Sequence, residues 1–393
     1  MVVEKIELNM NKIPYGRQNV TQEDIDSVVK VLRSDFLTQG PTVKKFEDAF
    51  AKYVGSKYAV AVSNGTAALH LNALALGLKT GDKVITTPIT FVASANCVRY
   101  CGAEVIFSDI DPETFLIDIN SVKKLLEEDI NKEIKGIIPV NFAGRVVDME
   151  SLRDLANKYD CWIIEDACHS PGGYFTNKDQ EKIMSGSGMY ADLSIFSFHP
   201  VKHIAAGEGG MITTNNEVLY KKIKNLRTHG IQQDQNLKIE NHGIWHYEMQ
   251  ELGYNYRLTD FQAALGLSQL NRAEQGLNRR SEIAKYYNEK FQNTNFIIHQ
   301  SGIVSGHAYH LYVIQVQRRD ELINYLREKN IFAQVHYIPA HLMPYYKQFG
   351  WKKGDMPHSE SYYSSCLSLP MYPTLTTEEQ DFVISTIFHF FHI

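Results

Sequence analysis

Apolar and polar positions exchange one period for another along the first two hundred or so residues. Lys57–Ser63 (KYAVAVS) is a short β-rich run, and Thr66–Leu78 repeats its apolar positions at helical spacing. The exchange then recurs. Val84–Thr87 reads as a strand, Phe91–Tyr100 as a helix and Val105–Asp109 as a strand. Ser121–Glu128 reads as a helix, Ile134–Val140 as a strand and Met149–Tyr159 as a helix. Cys161–Asp166 (CWIIED) is a buried strand ending in two acids, and Leu193–Phe198 and Gly210–Thr214 close the series as strands. Strands alternating with helices predict an α/β domain with a mostly parallel sheet covered on both faces. Ligands of such sheets lie beyond the C-terminal ends of the strands.

After about residue 215 the pattern turns helical, with a long periodic run at Asp260–Leu277. A strand at Tyr309–Gln317, a helix at Glu321–Glu328 and a strand at Phe332–Tyr337 follow. This predicts a smaller α+β domain, with the large domain at 13–270 and the small one at 271–393. No internal repeat or low-complexity linker interrupts the chain.

Composition narrows the class. The chain has 393 residues, 44% hydrophobic and 22% charged, enough for a sizeable core. Its formal net charge of -5 gives no basic footprint for nucleic acid. No window approaches the run of about 18 apolar residues that spans a membrane. The first residues, MVVEKIELNMNKIPYGRQ, lack the apolar core of a signal peptide. The five cysteines are odd in number and mostly in apolar contexts, which fits reduced thiols in a cytoplasm. Cys97/Cys101, His199/His203 and His307/His310 have ligand-like spacing but no third ligand nearby, so no metal is expected.

Three stretches carry candidate chemistry. Asp166 ends the apolar strand WIIED, where a carboxylate is a helix cap, a structural acceptor or a working group at the ligand edge. Lys202 stands between the strand SIFSF and the glycines Gly207, Gly209 and Gly210. Phe196, Phe198, Ile204, Ala205 and Ala206 surround it in sequence, and burial lowers a lysine pKa and frees its amine for nucleophilic work. Asn64-Gly65-Thr66 follows a strand and opens a helix, so its backbone N–H groups form either an ordinary cap or a phosphate cradle. A lysine, a carboxylate and an anion site are together what pyridoxal phosphate requires.

The segments SNGTAALH, TTPITFVASANC, IIEDACHSPGG, FSFHPVKHIAAGEGG, ELGYNYRLTDFQAALGLSQL and AQVHYIPAH resemble the DegT/DnrJ/EryC1/StrS family of sugar aminotransferases. The resemblance runs from about residue 13 to about 385. It implies a fold-type I pyridoxal-phosphate transferase. By that likeness Lys202 is the Schiff-base lysine, Asp166 faces the pyridinium nitrogen, His169 lies near the ring hydroxyl and Phe91 stacks on the ring. Ser197 joins Gly65 and Thr66 at the phosphate, and Asn255 reaches the phosphate of a neighbouring subunit in a homodimer. Tyr15, Asp35, Phe36, Leu37, Thr38, His336, Tyr337 and Pro339 resemble the family's sugar-nucleotide contacts. Arg227 and Arg257 are candidates for the carboxylate of L-glutamate, the amino donor. IPYGRQ, DFLTQGP and YEMQELGYNYRLTD point to family members that aminate C4 of a UDP-4-keto-6-deoxy-N-acetylhexosamine towards pseudaminic acid.

The nearest rival reading is an aminotransferase for another nucleotide keto sugar, a bacillosamine-type C4 or a C3-keto sugar; further rivals are a pyridoxal-phosphate sugar dehydratase, a non-catalytic nucleotide-sugar binder and a nicotinamide dehydrogenase. The dehydratases replace the lysine with histidine, whereas Lys202 is present. A binder has no need of Asp166, Ser197 and Lys202 together. The run from Gly186 to Ala191 fits GxGxxA by letter, but the strand DLSIFSF follows it where a dinucleotide site needs a helix.

Overall fold

The computed structural model describes residues 12–232, 239–240, 242–300 and 302–392, so the reading of Met1–Asn11 lies outside the described residues. Seven strands build the central sheet: β1 (Tyr58–Val62), β2 (Lys83–Thr86), β3 (Glu104–Phe107), β4 (Ile134–Ile138), β5 (Trp162–Asp166), β6 (Leu193–Ser197) and β7 (Gly210–Thr214). Their spatial order is β1-β7-β6-β5-β4-β2-β3. Only β7 runs antiparallel to its neighbours β1 and β6; the other pairs are parallel. Buried Val60, Val62, Val84, Val105, Ile138, Ile164, Ile195 and Ile212 form one layer against the helices Gly65–Ala75 and Ala93–Tyr100. Ile85, Ile137 and Ile163, neighbours of those residues in the strands, face the opposite layer with Leu126 and Leu152, as the two-residue period of a strand requires.

A second core gathers Ile13, Ile283, Tyr287, Phe291, Ile314, Leu322, Leu367 and Val383. It lies on a three-stranded antiparallel sheet of Ile297–Gln300, Tyr312–Val316 and Cys366–Leu369. Ala340, Tyr346 and Met356 cross back to pack in the core of the large sheet. No helix among the described residues is long and apolar enough to cross a membrane.

Two expectations change. Asp260–Leu277 is not one helix but two, Asp260–Leu270 and Ala273–Phe291. At the break, Arg272 leaves helical geometry and its Nη2 donates to Asp24 Oδ2 at 2.5 Å and to Asn19 O at 3.2 Å. Of Phe332–Tyr337, only Phe332 is in a strand, the two-residue Ile331–Phe332 paired with Ile13–Pro14. Beyond it the chain pairs singly, through Gln334 and Ser368, and then leaves the sheet to reach the cavity described next. Gly186 and Gly188 both have positive φ, in a turn that leads to β6, so the GxGxxA match is turn chemistry.

Candidate active site

A cavity of about 700 Å³ opens at the C-terminal ends of the parallel strands, where this sheet type binds ligands. Five of the seven strands deliver wall residues to it. After β1 come Asn64, Gly65 and Thr66; after β2, Thr90 and Phe91; after β4, Val140. Asp166 ends β5, Ser197 ends β6, and Lys202 follows in the next turn. Tyr15, His169, His336 and Tyr337 complete the ring.

The helix from Gly65 is capped by Asn64, whose Oδ1 accepts from Ala67 N at 2.8 Å. The N–H groups of Gly65 and Thr66 belong to the first turn, which has no intrahelical acceptor, at the cavity wall. Glycine is needed here for closeness. A Cβ on Gly65 would stand 3.1 Å from Ser197 Cβ, and one on Gly210 would stand 2.6 Å from the Asn64 carbonyl. The glycine cluster after Lys202 thus lets β7 pass directly beneath the cradle.

Asp166 is buried at 6% exposure. Its Oδ2 accepts from Ser94 Oγ at 2.7 Å and its Oδ1 from Cys168 N at 3.2 Å. Glu165, the preceding residue, points to the other face. There it accepts from Asn141 Nδ2, Ser185 Oγ, Ser194 Oγ and Gly186 N. Burial pushes its carboxyl up, against those four hydrogen bonds. Lys202 has its pKa pushed down by burial, with Cys168 and Asp166 opposing and Arg280 adding to the effect. His169 is held neutral well below its usual range, by burial first and then by Lys202. His336 is pushed down to about 3 by the same two causes. Tyr337 OH lies 3.2 Å from His169 Nε2, and burial pushes its phenol up.

Not every expected residue is brought here. Phe91 lines the cavity at 61% exposure, but from the loop before the helix, which begins at Ala93. Asp35, Phe36, Leu37 and Thr38 do not line the cavity; Phe36 and Leu37 are 52% and 49% exposed, and Leu37 O accepts from Asp260 N. Asn255 is exposed and also outside it. Pro339 is buried in a turn, where its carbonyl accepts from Leu342 N. Arg227 is committed elsewhere: its Nη1 donates to Glu47 Oε1 at 2.7 Å and Ala61 O at 2.8 Å. Arg257 does not line the cavity either, so neither arginine of the expected pair is placed for a substrate carboxylate in this chain's cavity. Ser94, Thr90 and Tyr256 went unread, although all three line the wall. The signal for Ser94 was its place three residues after Phe91 in TTPITFVASANC.

The model of the DegT/DnrJ/EryC1/StrS aminotransferase family matches residues 18–388. The chain belongs to that family. It is 40% identical over 387 residues to the spore coat polysaccharide biosynthesis protein SpsC of Bacillus subtilis, covering 95% of this chain and 96% of that protein. It is 37% identical over 383 residues to the UDP-4-amino-4,6-dideoxy-N-acetyl-beta-L-altrosamine transaminase of Campylobacter jejuni, covering 96% of each. Among solved structures it is similar to Helicobacter pylori PseC, an aminotransferase involved in the biosynthesis of pseudoaminic acid. That match has a TM-score of 0.86 and 29% identity, covering 97% of this chain and 100% of the other. Aminotransferases of this family use pyridoxal phosphate, and the cavity fits that group. The N–H cradle without room for a Cβ suits its phosphate, and the buried carboxylate of Asp166 suits its ring nitrogen. His169 Nδ1, buried at the wall with no partner among the described residues, is free for a ring substituent.

Proposed function

We propose that this sugar aminotransferase moves the amino group of L-glutamate to C4 of a UDP-4-keto-6-deoxy-N-acetylhexosamine, giving UDP-4-amino-4,6-dideoxy-N-acetyl-β-L-altrosamine. The observation that carries the chemistry is the convergence of Lys202, Asp166, Ser197 and the Gly65–Thr66 cradle on one cavity. The sugar is supported by the likeness to the Campylobacter transaminase over almost the whole chain.

Bound pyridoxal phosphate supplies an electron sink that lets a proton leave the carbon bearing the amino group. The chain's residues divide the remaining work. Lys202 Nζ, with its pKa lowered, takes that proton and returns it. The Asp166 carboxylate, held in place by a hydrogen bond from Ser94 Oγ, would face the ring nitrogen. Gly65 and Thr66 N–H and Ser197 Oγ bind phosphate. Phe91 would stack on the ring, and Tyr15, His336 and Tyr337 line the path of the sugar nucleotide. Asn255 and the segment Asp35–Thr38 serve the cavity of a second copy in a homodimer. Their exposure outside the cavity of their own chain supports that reading.

SpsC, at 40% identity, favours a second reading: amination of another nucleotide keto sugar by the same residues. The experiment is mass spectrometry of nucleotide sugars after incubation with glutamate and pyridoxal phosphate. Two epimers are offered, the UDP-2-acetamido-2,6-dideoxy-4-keto sugars of L-arabino and D-xylo configuration. Amination of the L-arabino sugar alone is expected. Amination of the D-xylo sugar alone moves the enzyme to the bacillosamine type, and amination of neither overturns the C4 reading.

A further inference from the structure

Behind Lys202 the chain packs a cluster of imidazoles. His310 is 4% exposed, and its Nε2 lies 3.5 Å from Lys202 Nζ. That is long for a hydrogen bond, as resting active-site contacts often are. The His310 ring lies 4.3 Å from that of His169 and 5.6 Å from that of His203, centroid to centroid. His310 Nδ1 is buried and has no partner among the described residues.

These contacts select a tautomer. A neutral imidazole carries one N–H and one bare nitrogen. Burial, reinforced by the Arg280 guanidinium, holds His310 in that neutral form. With the proton on Nδ1, a buried donor would have no acceptor. With Nδ1 bare, only a lone pair goes unused, and orphaned buried donors are the rarer defect in proteins. The proton therefore belongs on Nε2, aimed at Lys202 Nζ. An ammonium has three donors and no acceptor, so it cannot receive that hydrogen; a neutral amine can.

We propose that His310 is a positioning residue for Lys202, donating its Nε2–H to the lone pair of the unprotonated amine and holding Nζ at the cavity wall. This rests on reading Lys202 as the reacting amine. The groups around Nζ divide on the matter. Asp166 and Cys168 favour the ammonium, while Arg280 favours the amine and His169, His203 and His336 are held neutral beside it. His310 is the group among them with a polar atom within hydrogen-bond reach of Nζ.

The test labels the cofactor-free full chain with trace acetic anhydride between about pH 6 and about pH 11, and follows the Lys202 peptide by mass spectrometry. The unaltered protein is expected to reach half-reaction below the ordinary lysine value of about 10.4. His310→Phe, which keeps the bulk and removes the donor, is expected to raise that midpoint by about one pH unit, the size of one ordinary hydrogen bond. His310→Gln, which keeps an N–H near the Nε2 position, is expected to stay near the original midpoint. A midpoint in His310→Phe that stays or falls overturns the proposal. Should that variant not fold, the ¹⁵N-histidine spectrum of the unaltered protein decides. A protonated Nε2 with a bare Nδ1 on His310 supports the proposal, and a protonated Nδ1 overturns it. Borohydride reduction after adding pyridoxal phosphate tests the underlying reading separately. No tag on Lys202 would sink its assignment, whereas a tag with an unmoved midpoint would sink only the role of His310.

Discussion

The cofactor wall and the segment Asp35–Thr38 are treated differently by the fold. Wall residues sit at strand ends or helix starts: Asp166 closes β5, Ser197 closes β6 and Gly65 opens a capped helix. Their positions follow from sheet geometry, and burial pushes down the pKa of Lys202 in the turn after β6. Asp35–Thr38 forms no helix or long strand, and Phe36 and Leu37 are about half exposed. Sheet order alone brings the wall together within one chain. The wall is thus gathered by the single fold, whereas the homodimer proposed above would defer part of the substrate contact to assembly.

The sharpest break in that comparison is Lys202→Ala. If the wall holds the chemistry, turnover should fall by at least about 10³-fold, since the removed amine is both nucleophile and proton carrier. Pyridoxal phosphate should still be retained through Asp166 and the Gly65–Ser197 cradle, seen as absorbance that survives gel filtration. Retained turnover would place the reacting amine elsewhere.

Why the wall was legible and the rest was not has a physical basis. A strand that ends in WIIED announces a carboxylate at a sheet edge, but not which carboxylate. Glu165 and Asp166 are adjacent letters with opposite faces. Glu165 is consumed by Asn141, Ser185, Ser194 and Gly186, whereas Asp166 looks into the cavity. The family likeness, not the periodicity, separated them. The helix break at Arg272 was unreadable locally, and Asp24, the partner of Arg272 there, lies 248 residues away. Arg227 stood as a candidate because Glu47, the partner that occupies it, is 180 residues distant. His310 was read only as half of a metal-like pair, because nothing local marks the approach of Lys202 from 108 residues upstream.

Acid should sharpen the comparison next. His169 and His310 are held neutral well below the usual histidine range, and His336 is pushed down to about 3, in each case chiefly by burial. Unfolded, the same histidines take up protons below about pH 6.5. The unfolded chain then binds more protons than the native one, so stability is lost as pH falls. Each contributes about 1.4 kcal/mol per pH unit, so the three alone give about 4 kcal/mol, and buried His203 and His307, pushed down in the same way, add to it. Denaturant titrations at about pH 7.5 and about pH 5.5 should show a loss of that order. Equal stability at both would mean that the wall accepts protons and is not held neutral. The segment Asp35–Thr38 has no histidine and should take no part in this loss.

The smallest expected effect bears most directly on deferral to assembly. Lys202→Ala and Asn255→Ala are each expected to impair a homodimer, the second by weakening phosphate binding from across the interface. Mixing the two chains distinguishes a shared site from a private one. If Asn255 serves the neighbouring cavity, one site of a mixed dimer carries both defects. The other then has the native lysine from one chain and the native asparagine from its partner. Activity should reappear at up to about half of the native rate per mixed dimer, a gain of a few-fold over the Asn255→Ala chain alone. If Asn255 acted within its own chain, every site in the mixture would keep a defect and nothing would be recovered. Co-expression with two tags, isolation of the mixed species and a glutamate half-reaction followed by absorbance would read the difference. Recovery would mean that neither chain holds a complete site, and that the exposed residues beyond the wall are half of a site displayed for a second copy.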